Sequence, residues 1–472
     1  MAGLGLLLGC PAALPEPPAR PPSGADAAVS NPEEGVSWGQ VADTLSQPQT
    51  SADDDEEGWL DAATAQAEAS RILEEVAAAR NLPVTRDVEV NVVDRPGIRS
   101  FAKRSMYEHT TPEELARLGR VQASMGVIPR GSDIEQIILD LLEQGVAGFY
   151  DPTEKTLFIG DFVDKVTLSM VVGHEIAHGL QDMHFDLQKH QEPMLHRNDE
   201  ETARRFLIEG GAQATYLAWV SGTSGLSAIE DGVLDAMGNQ VLDLADFASD
   251  YPILVRSLQL PYADGTATVT RLVRQKGWDA VDALYEHLPD SSEQMLHIDK
   301  LLAREQPIVT TIDVSVLQAL IPGTELLWHD TLGEAELLSM LAQSVRSTEA
   351  RRAAAGWGGD YYVALDLVPA AESGEADQAA DGDRQHVGRW SVPLVVGVIV
   401  WDSDRDAAEF EEVFTDYLQR MVPDDHAIDR RGDRVLFATG IPADVEASKL
   451  VAAAWKGVRT QEPRRQRRKD RE

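Results

Sequence analysis

The sequence predicts an α+β protein: a small sheet beside a helix with a metal-binding pattern, a helical lobe, and then a small α/β domain at the C-terminus. Three observations predict it. The stretch Leu168 to Met183, LSMVVGHEIAHGLQDM, has helical periodicity and carries two histidines one turn apart. Two short β-prone runs flank turn-forming residues just ahead of it. After residue 349 the long helical patterns give way to β-rich runs interleaved with helices.

Taken in order, the chain opens with MAGLGLLLGC, a short apolar run ending at Cys10, its only cysteine. Leu7, Leu8, Gly9 and Cys10 resemble the lipobox of bacterial lipoproteins, which implies lipidation at Cys10 and an extracytoplasmic protein anchored to the cell envelope. An ordinary N-terminal tail is the alternative, because no Lys or Arg precedes the run. From Pro11 to Glu57 the chain is rich in Pro, Ala, Ser and acid, with few large apolar residues to bury, so residues 1–57 read as a leader followed by a flexible linker. A net charge of −37 argues against nucleic acid and anionic membranes as partners, leaving the N-terminal lipid as the expected membrane contact. A single cysteine excludes a disulfide framework and a cysteine zinc finger.

Residues 58–348 read as the main domain. A helix is expected from Trp59 to Arg80 and a strand from Asp87 to Val93. Thr111, Pro112 and Glu113 open a further helix, and Ser132, with Glu135 three residues on, caps another to Gln144. AGFYDPTEKTLFIGD then reads as a hairpin whose second strand is Thr156 to Gly160. A strand edge next to a metal-bearing helix can hold an extended peptide by main-chain hydrogen bonds, so the hairpin is a candidate substrate shelf or, equally, a cover for the core.

In the helix that follows, Val172, Ile176, Gly179 and Met183 form one stripe, with His174 and His178 on roughly the opposite side. Imidazoles at i and i+4 can approach one ion together, and zinc is the natural guest. Glu175 lies beside them, able to take a proton from a water molecule. Two residues compete to be the third ligand. His184 has the spacing of metzincins, zinc proteases with three histidines, but Gln181 stands where their helix-ending glycine belongs. Glu209, in NDEETARRFLIEGGAQATYLAWV, is the favoured choice: an acid among apolar and small residues on a second predicted helix, followed by Gly210 and Gly211, which permit close helix approach. Glu200 and Glu201 read as solvated charges of that helix's first turn. Asp182 and Gln213, each about one turn beyond a ligand, are candidates to orient ligands by hydrogen bonds.

From Asp231 to Leu302 the pattern is mostly helical, with one helix opened by Pro261, Tyr262 and Gly265 and another from Trp278 to His287. His297 and Tyr262 are candidate donors to a developing oxyanion, although structural roles suit both. Residues 349–460 read as the small α/β domain: strands Tyr361 to Leu367 and Pro393 to Trp401, a helix Asp404 to Arg420, a strand Arg434 to Thr439 and a helix Ala443 to Trp455, arranged like a βαβ unit. The polar AAESGEADQAADGDR between the first two strands is expected to lack order, and residues 461–472 form a basic tail.

HEIAHGLQDMHFDL followed by IEGGAQATY resembles a group of largely uncharacterised bacterial and archaeal gluzincin-like surface proteins, whose helix reads HExxHxxQDxxFDL with a later EG motif. The likeness continues through PYADG (Pro261 to Gly265), the stretch Lys276 to Lys300, and GWGGDYYV (Gly356 to Val363), covering roughly residues 130 to 455. Two departures are visible: Lys276, Gly277 and Trp278 where members carry GGW, and Ile298, Asp299 and Lys300 where they carry ProGluLys. The resemblance implies a metallopeptidase with a thermolysin-like core. On this reading one Zn2+ held by His174, His178 and Glu209, with Glu175 as general base, hydrolyses a peptide or protein substrate. The alternative is a catalytically weak or inactive zincin-fold protein that serves binding or assembly at the cell surface. Oligomeric state and cleavage preference are not encoded in any visible pattern.

Overall fold

The computed structural model describes residues 10–11, 60–368 and 390–461. The expectations for the leader over 1–9 and the linker over 12–57, the side chain of Cys10, the polar stretch after Val368 and the basic tail beyond Gln461 lie outside the described residues. The architecture is mixed α+β, built on two main sheets with a helical lobe between them.

The first sheet takes β1 (Cys10–Pro11), β2 (Glu89–Val93), β3 (Val146–Asp151) and β4 (Thr156–Gly160), in the spatial order β1-β3-β4-β2. The pair β3/β4 is the expected antiparallel hairpin, and β2 runs parallel to β4. Side chains alternate between the two faces, as strand geometry requires. Phe149 and Phe158 meet Phe101 from one face, with ring centroids 4.4 to 5.5 Å apart, while Leu157 and Ile159 belong to the core on the other. That second core is completed by α1 (Ala62–Arg80) and the histidine-bearing helix. Phe101 comes from α2 (Arg95–His109), followed by α3 (Pro112–Ser124) and α4 (Ile134–Gly145). Thr111 makes a full capping box with Glu114 at the start of α3. At α4 the cap is Asp133, not the expected Ser132; its carboxylate reaches the N–H groups of both Glu135 and Gln136.

The central helix, α5 (Lys165–Phe185), is capped by Asp164. The stripe Val172, Ile176 and Gly179 is buried as expected, but so are His174, Glu175 and His178 on the other side. The expected open chemical face is roofed by tertiary structure. The roof is α7 (Asn198–Ala228), which follows a single helical turn, α6 (Leu187–His190), and is broken at Gly222 by left-handed backbone. After α8 (Asp231–Ala248) comes α9 (Pro252–Lys276), which starts nine residues ahead of the expected opening, so that Pro261 sits inside it. Short helices α10 (Trp278–Glu286), α11 (Ser292–Leu296) and α12 (Ile298–Ala303) complete the lobe.

Next come β5 (Val309–Ile312), α13 (Ser315–Leu320), β6 (Thr324–Asp330), α14 (Gly333–Leu341) and α15 (Ser347–Ala354). The C-terminal region holds β7 (Trp357–Leu367), β8 (Leu394–Trp401), α16 (Asp404–Met421), β9 (His426–Arg431), β10 (Arg434–Thr439), α17 (Ala447–Gly457) and β11 (Val458–Gln461). The second sheet has the order β6-β7-β8-β10-β9 with every pairing antiparallel. This corrects the βαβ-like reading. The segment β9 makes a hairpin with β10 through Gly432, whose φ is 63°, so the chain reverses before rejoining β8. The sheet also recruits β6, from ahead of residue 349, so its edge lies inside the stretch read as the main domain.

Candidate metal centre

Two crossings bring the candidate residues together. Helix α7 lies against α5, and α9 lies against α7 at glycines: a Cβ on Gly210 would stand 2.2 Å from the carbonyl carbon of Gly265, and one on Gly265 would stand 2.4 Å from the Phe206 oxygen. Only hydrogen fits at this crossing. Gly211 serves the other side, where a Cβ would meet the Gln181 amide at 2.7 Å. The cost of two adjacent glycines in a helix interior, about 1 kcal/mol each, is thereby explained by contacts to two different neighbours. The N-terminal end of α7 is fixed as well. Asn198 donates its backbone N–H to Asp330, and the buried Asp199 accepts from the backbone and hydroxyl of Ser292. Glu201 is buried and accepts from the Met194 N–H, whereas Glu200 pairs with Arg197 and Arg204; neither is the free solvated charge expected of a first turn.

At the centre, His174 Nε2, His178 Nε2 and Glu209 Oε2 form a triangle with sides of 3.1, 3.2 and 3.4 Å. A tetrahedral ion with ligand bonds of about 2.0 to 2.1 Å has ligand-to-ligand edges of about 3.3 to 3.4 Å. The triangle therefore has the size of a zinc face, and its two nitrogens and one oxygen are the donor types that zinc accepts. All three residues are buried. Such a triangle requires positive charge. Burial opposes a proton on His178, but the adjacent Glu209 carboxylate more than offsets it and raises the His178 pKa to about 9. Burial likewise works against charge on Glu209, and the two imidazoles reverse that, holding its pKa down at about 2. In the absence of an ion, a proton is the charge that the trio recruits.

The outer nitrogens of both imidazoles are held by carboxamides. His174 Nδ1 is 2.9 Å from Gln213 Oε1, and His178 Nδ1 is 2.9 Å from Gln181 Oε1. Gln213 is one of the two residues expected to orient a ligand. Asp182, the other, points elsewhere: it accepts from Tyr150, Arg86, Lys155 and the Leu187 N–H, tying the end of α5 to the hairpin. Gln181 takes the orienting position at His178 instead, and spacing alone did not single it out. The i+3 relation on one helix was the available signal.

Glu175 is buried and accepts from the backbone N–H of Tyr150 on β3 at 2.9 Å. The strand that borders the site on this side is therefore β3. The expected shelf strand, β4, is paired with β3 and with β2 and has no free edge. Tyr262, on α9, stacks on the His174 ring with centroids 5.5 Å apart and keeps partial exposure. His297 is not brought to the trio; its Nε2 engages Glu334 at 2.8 Å. His184 is also remote, donating to the Pro83 carbonyl at 2.8 Å, because α5 continues without a turn through Phe185.

Residues 325–452 match a family model described as a domain of unknown function, DUF8575. The match runs from β6 into α17 and does not include the trio. No curated protein and no solved structure matches the chain.

Proposed function

We propose that this chain is a zinc-dependent peptidase of the gluzincin type with a thermolysin-like core. The observation that carries the reading is the convergence of His174 Nε2, His178 Nε2 and Glu209 Oε2 on one point, at mutual distances of 3.1 to 3.4 Å, with Glu175 beside them. Those three residues would hold the ion. When bound, zinc supplies Lewis acidity, polarising a scissile carbonyl and acidifying an attacking water. Glu175, steadied by the Tyr150 N–H, takes the proton from that water and delivers it to the leaving amine nitrogen. Tyr262, stacked on His174, is the candidate donor to the oxyanion. A peptide or protein substrate would lie extended beside the Phe149–Asp151 end of β3, next to Glu175 and past the stretch of β3 that pairs with β1. The lipobox-like leader supports an extracytoplasmic, envelope-anchored setting for this activity.

Glu175→Gln tests the reading. One zinc per chain should be retained while cleavage of an unstructured casein substrate falls by at least about 100-fold, the usual weight of a general base. Equal cleavage by parent and variant would remove Glu175 from the mechanism. The burial of His174, Glu175 and His178, at 0, 1 and 5 % exposure, favours a second reading, in which the ion serves a binding or assembly protein with little turnover. A parent that holds zinc but cleaves no peptide would support it.

A further inference from the structure

Gln181 has three polar partners, and two of them settle which way its carboxamide faces. The backbone carbonyl of Ile208, 3.0 Å from Gln181 Nε2, can only accept a hydrogen bond. The Tyr285 hydroxyl lies 2.9 Å from the same nitrogen. A flipped amide would press its oxygen against the Ile208 oxygen, so the NH2 must face α7 and the oxygen must face His178. This direction follows from the carbonyl alone and owes nothing to the protonation of the imidazole. With Oε1 fixed 2.9 Å from His178 Nδ1, that ring nitrogen must be the donor, which leaves Nε2 to face His174 and Glu209.

Gln213 is held less closely: its oxygen faces His174 Nδ1 at 2.9 Å, but the residue is only partly buried. Asp182, adjacent in sequence to Gln181, could not replace it, since four donors already surround that carboxylate. Gly211 is part of the same arrangement, because any side chain there would collide with the Gln181 amide. Tyr285 is buried and stacks on Phe185 with centroids 4.2 Å apart, so α10 closes the pocket around the amide from a third side.

We propose that Gln181 is a positioning residue of the metal centre: its carboxamide, oriented by the Ile208 carbonyl and Tyr285, fixes His178 in the Nδ1–H tautomer and so keeps Nε2 directed at the ion. The proposal rests on the reading of the trio as a zinc site. It assigns His178 a neutral partner where a carboxylate would add negative charge to a triangle that already contains Glu209. It also explains the residue at position 181. A glycine there would end the helix, whereas glutamine continues it and turns back to the ligand one turn earlier.

Three full-length proteins test it: the parent, Gln181→Met and Tyr285→Phe. Methionine has a similar volume and no hydrogen-bonding amide. Zinc affinity, measured by competition with a chromogenic chelator, should fall about 10- to 100-fold in Gln181→Met, the usual cost of removing such a partner. The visible absorption of the Co2+-substituted protein should change at the same time. Tyr285→Phe leaves the Ile208 carbonyl to direct the amide, so its affinity should stay within about threefold of the parent. Unchanged affinity and an unchanged Co2+ spectrum in Gln181→Met would overturn the proposal, as would equal losses in both variants, which would make the contact helix-to-helix glue. A parent that takes up no zinc would overturn the reading of the trio together with this one. Should Gln181→Met fail to fold, the parent alone decides. Selective 15N-histidine labelling of the zinc-free protein, at a pH where both imidazoles are neutral, should report His178 as Nδ1–H, and an Nε2–H form would refute the assignment.

Discussion

Among the described residues, two clusters have three oxygen or nitrogen donors close enough to share one ion, and they end differently. His174, His178 and Glu209 are buried and contain no permanently charged cation; the charge must come from a proton or a metal. Glu293, Glu305 and Asp402 also come together, but Lys300 is already among them: its ammonium binds Glu293, lies 3.0 Å from Glu305 and lies 2.7 Å from Asp402. An ammonium is a compact point charge with three donors, and here it has three acceptors. The second cluster has its counter-charge built in. Donor geometry alone therefore does not define a metal centre; what matters is whether the chain has supplied its own cation.

The comparison can be broken at its first member. Glu209→Gln removes the only negative ligand, and zinc content after dialysis, read by plasma mass spectrometry, should fall from one ion per chain to none. A full complement of zinc in that variant would dissolve the distinction between the clusters. The next effect belongs to Lys300. The Glu293 carboxylate is 2 % exposed, and burial raises its pKa to about 8 even with the lysine beside it. Lys300→Met removes the ammonium that the three acids share, and because Glu293 can answer by taking up a proton, urea unfolding at pH 7 should show a loss of only about 1 kcal/mol, the scale of a lost hydrogen bond. Millimolar Ca2+ should then restore part of that stability in the variant and none in the parent. No recovery would mean that the three acids lack the geometry to share an ion.

A pH dependence sharpens the contrast. The folded-state pKa of His178 is raised to about 9, above its usual value of 6.5, because Glu209 overcomes the burial penalty. Below pH 9 the ion-free site thus carries a proton that zinc must displace. Apparent zinc affinity should weaken about tenfold for each unit of acidification from pH 9 to pH 7, and level off above pH 9. A titration with no slope in that window would mean that the proton is not the resident cation. Lys300 itself should keep its proton throughout that window, since three acidic partners raise its pKa above the ordinary range despite burial.

How much of this was legible beforehand differs from element to element. The hairpin β3/β4 follows from two β-prone runs around Asp151, Pro152 and Thr153, and α5 and α7 follow from apolar periodicity, because each signal is local. Glu209 was legible as a misfit, an acid next to two glycines in an apolar helix. The all-antiparallel second sheet was not, since β9 (HAIDRR) is mostly polar and one neighbour of β7 comes from ahead of the assumed boundary. The choice of Gln181 over Asp182 was not decided locally either: helical spacing allows both to reach His178, and the decision was made by the Ile208 carbonyl on one side and by Arg86 and Lys155 on the other.

By itself, then, the sequence determined which residues could bind an ion, His174 and His178 by helical spacing and Glu209 by its exceptional surroundings, because side-chain chemistry and periodicity are properties of a short stretch of chain. Tertiary structure decided that the histidine face is roofed, that Tyr262 reaches the site while His297 does not, and which carboxamide holds each ring. Those outcomes depend on the close approach of Gly210 and Gly265 and on hydrogen bonds between residues distant in the chain, and a contact between two helices is written in neither of them alone.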